Sequence, residues 1–259
     1  MENLRIYGDP PFKIAVLHGG PGAPGYMAPV ARKLSLEWGV LEPLQTASTV
    51  EGQVQELKEV LQGSADLPVC LIGSSWGAWL GVIFSARFPD HVNKLILIGS
   101  GAFDEKYGAD MLEKRLARLS EEERGEAFFL MDALADPKMT NKNELMARFG
   151  KLCTKADAFD PLTLDTEEIE VQYDVFSSVW NEAWELRKSG ALLDLGKKIR
   201  CPVVAIHGDS DSHSAEGVCD PLSKVLMNFQ FILLEKCGHF PWIEKQARDE
   251  FFKILKAEL

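Results

Sequence analysis

The sequence predicts a mostly parallel α/β sheet covered by helices on both faces, and three observations carry that prediction. Short apolar runs rich in branched residues alternate with stretches that repeat apolar residues every three or four positions. The runs are continuous rather than alternating, as strands buried on both faces require. The alternation stops after Ser100 and resumes at Pro202, which predicts a long helical insertion leaving and rejoining the sheet above its strand ends.

Taken in order, the predicted strands are Lys13–His18, Leu67–Gly73, Lys94–Gly99, Pro202–His207 and Phe229–Leu234. Gly39–Leu44 is a weaker candidate because Pro43 lacks a ladder amide, and Leu4–Tyr7 supplies at most one further strand. Helical spacing appears at Tyr26–Leu36, Val50–Leu61, Trp76–Phe88, Glu216–Met227 and Ile243–Leu255. Between the third and fourth strong strands the chain is charged and helical, as at Met111–Arg124 and Glu167–Ser189. Residues 1–101 and 199–259 are therefore read as the core domain, and 102–198 as a helical cap.

A chain of 259 residues, 46% hydrophobic, has enough apolar surface for a sizeable core. Its net charge of −11 repels other polyanions, so neither nucleic acid nor an anionic membrane is an expected partner. Met1–Pro11 carries charges and no apolar run, and nothing approaches the roughly 18–20 apolar residues of a membrane span. A cytoplasmic location is the expectation. The five cysteines, an odd set without a C-x-x-C pair, read as reduced thiols rather than a disulfide frame or zinc site.

Gly73-Ser74-Ser75-Trp76-Gly77 reads G-x-S-x-G between an apolar run and a helical run. A tight strand-to-helix turn there would expose Ser75 in a strained conformation, with the new helix's amides favouring negative charge beside it. Ser74 falls at the variable position, which makes Ser75 the candidate nucleophile; the plainer reading is an ordinary βα turn. His18-Gly19-Gly20-Pro21-Gly22 follows another apolar run. An amide of this loop, Gly20 by preference, and the amide of Trp76 would form the donor pair of an oxyanion hole. A phosphate-binding loop fits less well, since G-x-G-x-x-G and Gly-Lys-Ser/Thr are both missing. His18 itself reads as a hydrogen-bonded structural residue.

A carboxylate and an imidazole follow the last two strands. Gly208-Asp209-Ser210-Asp211 offers two acids, of which Asp211 fits the spacing better, while Asp209 suits a turn. Cys237-Gly238-His239-Phe240-Pro241-Trp242 presents His239 as candidate general base, flanked by aromatic residues. The chain order Ser75, Asp211, His239 is one in which nucleophile, acid and base occur in hydrolases with this strand–turn–helix context. His207, Asp209, Asp211 and His213 also alternate, but a calcium loop would need a central glycine that is not there, so no metal is expected.

HGGPG, GSSWG, HGDSD and CGHFPW together resemble the α/β-hydrolase family over essentially the whole chain, and HGGPG with GxSWG resembles the proline iminopeptidases in particular. The resemblance implies an eight-stranded sheet, a helical cap after the sixth strand, no cofactor and a serine hydrolase mechanism. It stops at Gly39–Thr49, where iminopeptidases carry D-Q-R-G-x-G-x-S and this chain does not. The expected activity is hydrolysis of an ester or amide of a small molecule or short peptide, by an esterase or an aminopeptidase. The alternative is a hydrolase-fold binding module without activity. Cap residues Phe176, Trp180 and Trp184 would pack the cap or line a pocket. Glu167, Glu168, Glu170, Glu182 and Glu185 would grip an ammonium group or form a solvated face.

Overall fold

The apolar runs become one sheet. In the computed structural model, which describes residues 3–162 and 169–259, the strands are β1 (Leu4–Tyr7), β2 (Phe12–Leu17), β3 (Gly39–Pro43), β4 (Val69–Ser74), β5 (Val92–Ile98), β6 (Val203–Gly208) and β7 (Phe229–Leu234). They lie in the order β1-β3-β2-β4-β5-β6-β7. β1 runs antiparallel to β3, and every other pairing is parallel. The seven described strands are one fewer than the eight the family resemblance implies, and β1 alone precedes the HGGPG strand. Pro43 ends β3 opposite Leu4, a position where its missing amide breaks no ladder inside the strand, and Gly39–Pro43 is buried throughout.

Continuous hydrophobicity along the central strands serves two separate cores. Ile14 and Val16 face one core with Cys70, Ile72, Ile96 and Ile98. Ala15 and Leu17 face the other with Leu71, Leu95 and Leu97, as the two-residue period of a strand dictates. α1 (Ala28–Leu34) and α10 (Arg248–Ala257) cover the first face. α2 (Val50–Ser64), α3 (Trp76–Arg87) and α9 (Glu216–Val225) cover the second. The last predicted helix, Ile243–Leu255, starts later than its spacing suggests, because Pro241–Ile243 forms a separate tight turn before Arg248.

The chain between β5 and β6 holds α4 (Met111–Ala117), α5 (Glu121–Ala135), α6 (Lys142–Asp157), α7 (Tyr173–Lys188) and α8 (Ala191–Leu195). The predicted run Met111–Arg124 breaks at Ser120, whose hydroxyl and the Glu123 carboxylate form a capping box that starts α5. Val175, Val179 and Ala183 of α7 join the core beneath them, which explains why α3 is buried from Trp76 to Ala86. Glu182 accepts from the Val50 amide at 2.8 Å, satisfying an orphan donor at the start of α2. Glu170 accepts from Asn143. Two of the acidic residues considered for an ammonium group thus serve structure; Glu185 is exposed, and Glu167 and Glu168 lie outside the described residues. No described helix is long and apolar enough to cross a membrane.

The strand order places β3 on one side of β2 and β4 on the other. At such a reversal the connections diverge and leave a crevice beyond the strand ends. The His18–Gly22 and Gly73–Gly77 loops both leave the sheet there. Their fit is close: a Cβ on Gly77 would stand 2.5 Å from the Leu17 carbonyl oxygen and 2.8 Å from that of His18. Both obstacles are backbone, so neither can swing aside. Gly77→Ala is expected to destabilise the fold by about 1–3 kcal/mol, read as a lowered midpoint in urea unfolding.

Candidate active site

Ser75 occupies the turn between β4 and α3 with φ 52° and ψ −114°, a conformation costly for any residue with a side chain. It is held there from both directions. Its amide donates to Ile98 at 3.0 Å, and a Cβ on Gly73 would collide with the Gly77 carbonyl. The glycine loop passes directly over the serine, since a Cβ on Gly19 would stand 3.0 Å from the Ser75 Cβ. Gly20, at φ +64°, turns the chain, and its carbonyl accepts from Ala23 at 2.9 Å. The Gly20 amide donates to no described residue, and the Trp76 amide, first in α3, has no partner within its helix.

His18, at the base of that loop, is spent on structure. Its Nε2 accepts from the Gln45 amide at 3.3 Å, so Nδ1 carries the hydrogen and donates to the Gly19 carbonyl at 3.1 Å. Burial pushes its pKa down to about 4, which keeps the ring neutral.

His239 and Asp211 meet in the interior. His239 Nδ1 lies 2.7 Å from Asp211 Oδ2. Asp211 Oδ1 takes the His213 amide at 2.9 Å and His213 Nδ1 at 3.0 Å, and His207 Nε2 stands 3.5 Å from Oδ2. Burial opposes the charge on Asp211, but the surrounding His239, His213 and His207 outweigh it and hold the carboxyl well below its usual range. Burial likewise works against a protonated His239; Asp211, with Asp157 behind it, more than offsets that and raises its pKa. Asp209 accepts from the amides of Lys236 at 3.0 Å and Cys237 at 3.1 Å, so it closes the turn beneath the histidine loop rather than touching the ring.

The helical segment helps to hold that loop. The Asp157 carbonyl accepts from the His239 amide at 2.9 Å. The Asp157 carboxylate takes two bonds from Arg115, at 2.8 and 2.6 Å, and one from the Ser212 hydroxyl. Glu244, fully buried, accepts from Gly238 at 2.9 Å and from Phe159 and Asp160 at 2.8 Å each. One carboxylate therefore ties the histidine loop to the end of the helical segment.

Ser75, His213 and His239 line one cavity of about 230 Å³, together with Gly20. Its walls are largely apolar, from Tyr26, Met146, Phe149, Phe176, Trp180 and Phe240, with the Arg115–Asp157 pair at one side. Phe176 and Trp180 both pack and line: Trp180 stacks on Trp79 at 5.6 Å and on Phe176 at 6.1 Å. Trp184 does not reach the cavity and instead holds the Arg187 guanidinium, 3.9 Å from its ring. Cys153 also lines the cavity, and burial pushes its thiol up to about 11. Among the described residues, Asp211, His213 and His239 are the set whose ligand-type atoms lie within 4.8 Å of one another; their close contacts are the hydrogen bonds above.

Sequence reasoning names Ser75, Gly20, Trp76, Asp211 and His239, and these five share one end of the sheet. It misses Arg115 and Asp157, which carry no local motif, and treats His213 only as a possible metal ligand. The D-x-H spacing after β6 was the available signal for His213. Removing the Glu244 carboxylate with Glu244→Ala leaves the buried Gly238 amide and the part-buried amides of Phe159 and Asp160 without their acceptor. The expected loss is roughly 1–3 kcal/mol, measured by urea unfolding, and Glu244→Gln should cost less because its carbonyl still accepts.

Comparison with known proteins agrees with this architecture. Residues 45–246 match the family model described as the alpha/beta hydrolase fold. No curated protein sequence matches the chain. Among solved structures, VinJ superposes with TM-score 0.67 at 17% identity, covering 99% of this chain and 95% of that one. A putative lipase (lip1) from Acinetobacter baumannii AYE gives 0.64 at 15%, covering 99% and 89%. The 2-hydroxy-6-oxo-6-phenylhexa-2,4-dienoate hydrolase from Rhodococcus sp. strain RHA1 gives 0.65 at 18%, covering 98% and 93%. Identities this low speak for the fold alone. With a family match spanning most of its length, a parallel sheet and a serine held in the sharp turn after β4, this chain belongs to the α/β-hydrolase fold family.

Proposed function

We propose that the protein is a serine hydrolase that cleaves an ester or amide bond of a small molecule or short peptide. The observation that carries this reading is the convergence of Ser75, in its strained turn, and the buried His239–Asp211 pair on a single apolar cavity. Ser75 Oγ attacks the carbonyl carbon while His239 Nε2 takes its proton. Asp211 keeps the hydrogen on Nδ1 and stabilises the imidazolium that forms. The amides of Gly20 and Trp76 hold the developing oxyanion. His239 then returns the proton to the leaving group, and a water activated by the same ring releases the acid from Ser75. Residues 102–198 act as the cap over this chemistry.

Esters are the favoured class. Glu182 and Glu170, candidates for binding a peptide's ammonium group, are engaged elsewhere, and Asp157 is neutralised by Arg115. The apolar walls suit an acyl chain. The net charge of −11 opposes polyanionic partners, and five free cysteines fit a reducing compartment, the cytoplasm.

A fluorophosphonate probe should label the wild-type protein and leave Ser75→Ala untouched; an unlabelled wild type would instead favour a binding module built on a hydrolase fold. Paired assays of a short acyl ester and a prolyl amide separate esterase from aminopeptidase, and faster ester turnover is expected. Asp211→Asn should lower kcat by about 10⁴-fold, since the amide favours the wrong tautomer. His239 must be neutral to accept the serine proton, and its pKa is raised. Activity is therefore lost as pH falls through that raised value, and the acid limb of kcat/KM should lie above the roughly 6.5 of a free imidazole.

A further inference from the structure

Two imidazoles share the Asp211 carboxylate, and the proposed hydrolysis uses only one of them. His239 Nδ1 binds Oδ2 at 2.7 Å, and His213 Nδ1 binds Oδ1 at 3.0 Å. The rings stack with centroids 4.5 Å apart and planes 22° from parallel. With both Nδ1 atoms turned to one acid, both Nε2 atoms lie on the far edges of the rings. His213 lines the same cavity as Ser75 and His239. Its Nε2 bonds no described residue and is not sealed in the interior.

The protonation state of His213 follows from its partner. An ionised carboxylate only accepts, so Nδ1 carries the hydrogen and a neutral ring leaves a bare lone pair on Nε2. Burial lowers the pKa of His213; Asp211 opposes this, the neighbouring His239 adds to it, and the net direction is down. Arg115, across the cavity, also disfavours a second positive charge. Neither ring can easily charge while the other is charged, and His239 is the one whose pKa is raised. The Nδ1 edges of both rings are occupied by the carboxylate, which leaves one Nε2 on each of two stacked rings. That geometry suits two separate hydrogen bonds better than one shared cation.

Water can donate to this acceptor in the free protein, but a ligand that displaces the water satisfies it only by supplying a donor of its own. We propose that His213 Nε2 is a substrate-recognition acceptor, and that the preferred substrates carry a hydroxyl or N–H group close to the scissile carbonyl. The proposal rests on the hydrolase reading and deepens it by naming a substrate class. With the two rings stacked 4.5 Å apart, the donor belongs close to the carbonyl, and the esters below place it three or four bonds from the carbonyl carbon. The donor belongs either to the acyl part or to the leaving alcohol, and the two sources can be told apart.

The test compares matched esters in two pairs. Phenyl 3-hydroxybutyrate against phenyl butyrate places the hydroxyl on the acyl side; 2-hydroxyethyl butyrate against propyl butyrate places it on the alcohol side. In at least one pair the wild-type protein should favour the hydroxylated ester in kcat/KM by about fivefold or more. His213→Asn keeps an amide N–H near the Nδ1 position to donate to Asp211 and removes the acceptor at Nε2. In that variant the ratio should collapse toward one, whatever happens to the absolute rates. His213→Phe, which keeps a ring against His239, should give the same collapse. A wild-type ratio near one in both pairs overturns the proposal, and so does a preference that survives both substitutions. Turnover of the plain esters in those cases leaves the hydrolase reading intact. No turnover of any ester, together with no fluorophosphonate labelling, would remove that reading and this inference with it.

Discussion

A single buried negative charge organises the end of the sheet where the candidate site lies. Asp211 is withdrawn from water, and an isolated carboxylate there would be too costly to remain ionised. It stays ionised because the His239 ring and the His213 ring and amide donate to it, with His207 close by at 3.5 Å. Those donors arrive from the end of β6 and from the loop after β7. The carboxylate therefore fixes two loops relative to each other, and it does so only when both are in place.

The same logic extends outward through two further buried acids. Asp157 at the end of α6 is charge-balanced by Arg115 from α4 and takes the Ser212 hydroxyl. Glu244 gathers three amides, one from the histidine loop and two from the chain just past α6. Helices that reach the sheet through one insertion are thereby bonded to the loop that carries His239. The helical segment and the histidine loop, which both line the cavity, are parts of one hydrogen-bonded structure. Removing an acid from such a network leaves buried donors exposed to no solvent, which is why its members are costly to change.

Much of the fold is legible in the sequence. Continuous apolar runs named the central strands to within a residue or two, because a strand buried on both faces has no polar option. G-x-S-x-G after such a run pointed to a tight turn, since Gly73 and Gly77 stand where a side chain would strike backbone. Other features had no local signature. The break between α4 and α5 depended on a capping box that the helical spacing overran. Gly39–Leu44 reads as a weak strand on account of Pro43, whose place at the end of β3 is set by pairing with β1.

The sequence by itself determined the sheet and its covering helices, and it singled out Gly20, Ser75, Trp76, Asp211 and His239 as candidates, because each sits in or beside a strand-end loop whose composition is constrained by short-range sterics. Only the tertiary structure decided that Arg115 and Asp157 pair at the cavity wall, that Glu182 caps α2, and that His213 shares the acid with His239. Those are contacts between segments far apart in the chain, or between side chains whose direction depends on packing. Residue type and spacing carry no record of which distant group a side chain will face.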